Sequence, residues 1–138
     1  DWEIFMRNKS KLAKIRKKSV PTYPREWMYM CRDEVRLAQI KEALEEDYEM
    51  EYWDEAGVLE VELPSETASS VDFETVDMAR ADEMTDAYMK EHDIKTVFLV
   101  SIDPLDYEAA KTAMQKVIQV FGGFFCGDTP DLLPLVKS

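Results

Sequence analysis

Apolar residues recur along this chain in two rhythms, one of strands and one of helices. From Thr96 to Ile102, six of seven positions are apolar or β-branched. A strand greasy on both faces is a central strand covered on both sides. Asp103-Pro104 ends it, because proline cannot donate to a ladder. Tyr107, Ala110, Met114, Val117, Ile118 and Phe121 then recur at three- and four-residue steps. That spacing predicts a helix over 107–121 with one buried stripe. Asp106 stands where an N-cap carboxylate belongs, and Gly122-Gly123 supplies the stop. A strand returns from Phe124, so the stretch reads strand–helix–strand, with its two strands parallel.

The pattern repeats earlier with different residues. Glu26 to Cys31 is again apolar on both faces. Asp33 is positioned to cap a helix whose buried stripe is Leu37, Ile40 and Leu44. Tyr48 to Trp53 and Val58 to Leu63 alternate apolar and polar, and Asp54-Glu-Ala-Gly57 separates them. This predicts an antiparallel hairpin of half-buried strands. Pro64 ends it, and Val71 to Val76 follows as a short edge strand. A helix over about 79–92 turns Ala81, Met84 and Tyr88 inward, with Met89 beside them. The chain closes with a turn at 126–131 and the apolar segment Leu132 to Val136. The sum is an α+β fold: a ferredoxin-like sandwich of two βαβ-type units with a β-hairpin, its helices on one face.

Ahead of this body, residues 1–18 form a basic amphipathic helix. Trp2, Phe5, Leu12 and Ile15 share one side, and Arg7, Lys11, Lys14 and Lys18 the other. Residues 19–25, with Pro21 and Pro24, read as a stiff linker. The domain organisation is thus a helix over 1–18, a linker over 19–25 and one acidic domain over 26–138.

Charge sharpens that division. Residues 1–25 carry 8 basic and 2 acidic groups, a balance of +6. The remaining residues carry 9 basic and 27 acidic groups, a balance of -18. An acidic body repels nucleic-acid phosphates and favours cationic partners. No apolar run reaches the roughly 20 residues needed to span a bilayer, and no signal-peptide core is visible. The reading is a cytoplasmic protein, with contact to a membrane surface open only through residues 1–18. Cys31 and Cys126 each lie in an apolar strand and read as buried thiols.

Few residues promise chemistry. His92 is the only histidine, and it sits where a cation suits a helix C-terminus. One histidine and two separated cysteines give no metal-ligand spacing, and the sequence implies no cofactor. Gly122-Gly123 follows a helix instead of preceding one, so it presents no amides to a phosphate. The run Glu45-Glu46-Asp47 reads as solvated surface.

Two constellations remain. Glu49, Glu51 and Trp53 share one strand face, and Glu60 and Glu62 share one face of the hairpin partner. If those faces coincide, they form an acidic patch with an aromatic anchor, suited to a basic protein. The alternative is Cys126-Gly-Asp-Thr-Pro-Asp131, at the end of a strand where α/β ligand sites gather. There Asp128, Thr129 and Asp131 offer polar contacts and Cys126 a nucleophile, for small-molecule binding or hydrolysis. No base adjoins Cys126 in sequence, so no catalytic set assembles. A small acidic α+β domain without catalytic residues is similar in general type to many inhibitor and toxin-immunity proteins. The favoured expectation is accordingly a non-enzymatic interaction or regulatory domain that engages a basic protein partner.

Overall fold

The computed structural model describes residues 22–66, 68–77 and 82–138. The helix expected over 1–18, the start of the linker and Ala81 lie outside these residues. Among them the chain forms β1 (Glu26–Cys31), α1 (Leu37–Leu44), β2 (Met50–Trp53), β3 (Val58–Glu62) and β4 (Ser70–Thr75). There follow α2 (Glu83–His92), β5 (Thr96–Ser101), a 3₁₀ turn at Pro104–Asp106, α3 (Tyr107–Phe121), β6 (Phe124–Gly127) and β7 (Leu135–Val136).

The strands make one seven-stranded antiparallel sheet in the order β2-β3-β4-β5-β1-β6-β7. β1 and β5 lie side by side in its middle, with Met28 opposite Leu99. β6 flanks β1 on the other side, with Met28 opposite Cys126. Since β5 and β6 both oppose β1, they run parallel to each other with β1 between them. The α+β class stands, in the form of a single layer broader than two βαβ units and a hairpin.

Sheet parity divides the core. Trp27, Tyr29, Leu59, Val61, Phe73, Val100 and Phe125 point to one side, where α1 and α3 cover them. Met28, Met30, Val97 and Cys126 point to the other, where Met89 of α2 and Ile94 pack on them. Helices therefore lie on both faces, and the expectation of one covered face is corrected. The cause is a second apolar patch, Met28-Met30-Cys126, which needs a lid of its own. Each fully buried Leu- or Phe-sized side chain contributes roughly 1.5–3 kcal/mol, so the larger cluster dominates stability. Its polar atoms are satisfied: Tyr29 Oη donates to Gly122 O at 2.7 Å, and Trp27 Nε1 donates to Pro24 O at 2.8 Å.

Other local expectations are also corrected. β4 is an interior strand between β3 and β5, not an edge. Asp33 does not cap α1. Arg36 occupies the N-cap position, where its N–H donates to Gln39 Oε1 at 2.8 Å. Asp106 precedes α3 but makes no capping bond. Its carboxylate accepts from Ser65 Oγ and Ser69 Oγ and so ties down the β3–β4 loop, while Asp103 accepts from Leu105 N–H. In α2, Met84 is 75% exposed. The helix begins at Glu83, capped by Asp82, and rests on the sheet through Met89 and Tyr88.

Candidate functional site

The β2–β3 register brings together all five hairpin residues singled out from sequence. Glu51 stands opposite Glu60, and Trp53 opposite Val58. Glu62 N–H donates to Glu49 O at 2.9 Å, which extends the same ladder. Leu59 and Val61 point into the core, so by alternation Glu60 and Glu62 point outward, beside Glu49, Glu51 and Trp53.

The patch then spreads beyond the hairpin. Glu60 is also opposite Asp72, Asp72 opposite Ser101, and Ser101 opposite Glu26. One cross-strand row thus reads Glu51, Glu60, Asp72, Ser101, Glu26. At its end Ser101 Oγ donates to Glu26 Oε2 at 2.8 Å. The neighbouring row runs Trp53, Val58, Glu74, Leu99, Met28. Trp53 and Glu74 in this row are exposed, whereas Leu99 and Met28 at its other end pack with Met89 of α2. Asp72, Glu74 and Glu26 were not identified from sequence. The alternation of Val71 and Phe73 with Asp72 and Glu74 carried the signal for the first two, but only the strand order brings them beside Glu60.

Electrostatics follow from this spacing. Glu60 sits in the middle of the acids, and its carboxyl is held above the usual range. Burial is the leading cause, followed by the charges of Asp72, Glu51 and Glu62. The ion pairs Lys41–Glu45, Lys90–Asp86 and Lys116–Asp47 all lie elsewhere. Among the described residues no group of three metal-ligating side chains converges on a point. Carboxylates on a pleated sheet stand roughly 5 Å apart and parallel. That geometry matches several separate cationic groups better than one ion. Trp53, 46% exposed, gives the rim a large apolar surface.

The second constellation lies on the same sheet face at its other end. Cys126 is fully buried beneath α2, and burial pushes its thiol up to about 11, with Asp128 adding to the shift. A thiol so placed is a poor nucleophile. It cannot bond to Cys31, because the two project from opposite faces of the sheet. Both cysteines are free. Asp131 accepts from Thr129 Oγ1 at 2.8 Å and from Leu133 N–H at 3.1 Å, and these bonds hold its carboxyl below the usual range. These two residues shape the turn. Asp128, together with Thr129, also borders a cleft of about 310 Å³ whose apolar wall includes Met28, Met30, Met84 and Tyr88. His92 does not line this cleft but stacks on Tyr88 of its wall, at 3.9 Å between ring centroids. Its Nδ1–H donates to Tyr88 O at 3.1 Å.

No protein-family model, no curated protein and no solved structure matches this chain.

Proposed function

We propose that this chain is a non-catalytic interaction domain, inhibitor- or immunity-like, whose acidic sheet face engages a basic protein. The observation that carries this reading is the row Glu51–Glu60–Asp72, flanked by Glu49, Glu62, Glu74 and the exposed Trp53. Burial first, and then the charges of Asp72, Glu51 and Glu62, raise the charging cost of Glu60 at the centre of the row. A cationic partner relieves that repulsion, so association gains both in rate and in selectivity. Trp53 at the margin supplies the kind of aromatic anchor that carries a large share of binding energy. The same field repels nucleic acid.

The test is affinity capture with the full chain over a salt series. Cationic proteins are recovered at low salt, released at high salt, and lost with Glu51→Lys/Glu60→Lys but not with Lys41→Glu. Recovery that ignores salt, or that survives the double reversal, discards the reading.

A second reading rests on the methionine-lined cleft beside Asp128. Methionine walls adapt to apolar ligands of varied shape, and a few polar groups at the mouth fix orientation. A small molecule seated there raises Tm, and Asp128→Asn or Met84→Lys removes the rise. Hits indifferent to both substitutions lie elsewhere and end this reading.

A further inference from the structure

β2 is the outermost strand at one end of the sheet and pairs with β3 alone among the described residues. Bonded and non-bonded pairs alternate along an antiparallel ladder. Glu62 N–H donates to Glu49 O, so the main chains of Glu49, Glu51 and Trp53 face β3. Those of Met50 and Tyr52 face away. Their N–H and C=O groups are therefore a template for one more strand.

Side chains along this edge say which strand it suits. Glu49, Glu51 and Trp53 are exposed on the open face. On the opposite face Met50 and Tyr52 pack against the core yet are only half-buried, so each keeps an uncovered flank. A second copy of this edge, paired antiparallel, sets Glu49 and Glu51 against their own counterparts. Like charges directly opposite are unfavourable, so self-pairing is opposed. An acidic partner strand meets the same penalty.

We infer that β2 accepts an extended segment of the basic partner as an eighth strand. Its basic residues lie beside Glu49 and Glu51, and its apolar residues cover Met50 and Tyr52. The main-chain ladder supplies affinity and the alternating side chains supply selection. This inference rests on the acidic-face reading and adds the mode of docking: strand addition at the edge, with the partner continuing across the row of carboxylates.

The experiment is calorimetric titration of the full chain with a short synthetic peptide alternating lysine and valine, and with two derivatives. In each derivative every second amide is N-methylated, in opposite registers. Only one set of amides faces β2 in a paired strand. One derivative is expected to lose about tenfold or more in affinity, and the other to bind like the parent. Equal behaviour of the two derivatives overturns strand addition. The acidic-face reading then survives if Glu51→Lys/Glu60→Lys still weakens the parent peptide. A parent peptide that does not bind at all overturns both.

Discussion

Glu51 and Glu60 are direct cross-strand partners, two carboxylates facing each other on the same open side of the sheet. A sheet built only for stability pairs opposite charges at such positions. Here the like pair is continued by Asp72 in the next strand, and repulsion is concentrated at Glu60.

The first consequence is a pH effect on stability. The folded pKa of Glu60 lies above its ordinary value, chiefly through burial and then through its acidic neighbours. Protonation therefore favours the folded chain. The penalty is fully present above the folded pKa and lifts as pH falls through it; below the unfolded pKa it is gone. Glu60→Gln is expected to stabilise the protein at pH 7 by roughly 0.2–1 kcal/mol, the scale of a cross-strand pair. It should do less at pH 4. Thermal melts at the two pH values check this, and equal gains at both contradict it.

Trp53 separates binding from folding. It is exposed at the rim and carries little of the core. Trp53→Ala should leave Tm nearly unchanged while weakening capture of the basic partner by about tenfold or more. A large fall in Tm with unaltered binding assigns the ring a packing role instead.

Thr96 makes the opposite test, of stability without function. Its buried hydroxyl donates to Asp33 O at 2.7 Å and accepts from Val35 N–H at 2.9 Å. It thereby clamps the β1–α1 loop to β5. Thr96→Val keeps the shape but orphans both main-chain groups. The expected loss is roughly 1–3 kcal/mol by denaturant unfolding, and the acidic face should retain its partner.

Cys126 provides a chemical test. With its thiol pushed up to about 11, only about a thousandth is thiolate at pH 8. Cys31 is buried as well, its Sγ within 3.5 Å of Phe121 O. Native protein should react slowly with a thiol reagent at pH 8, and both thiols should become reactive in guanidinium. Rapid labelling of native Cys126 refutes this burial.

Much of the layout was legible in single segments. β1 was readable as Glu26–Cys31 because its unbroken apolar run has no helical rhythm, and α3 because its stripe does. The hairpin was readable because Asp54 to Gly57 separates two alternating strands. What failed were the places where a contact distant in sequence, by hydrogen bond or by packing, overrode the local pattern. Asp106 looks like a cap until Ser65 and Ser69, far away in sequence, reach its carboxylate. Asp33 looks like a cap until the loop turns its carbonyl toward Thr96. Met84 fits a helical stripe, but the sheet beneath meets Met89 and Tyr88 instead.

The acidic site divides along the same line. Local alternation by itself determined that Glu49, Glu51 and Trp53 share a face, and likewise Glu60 and Glu62, because strand geometry has a period of two. Only the tertiary structure decided that both faces coincide, that Asp72 and Glu74 extend them through an interior β4, and that α2 covers the far end of the sheet while leaving the acids open. Strand order is set by which apolar surfaces find one another across long stretches of chain, and that choice is not written in any one segment.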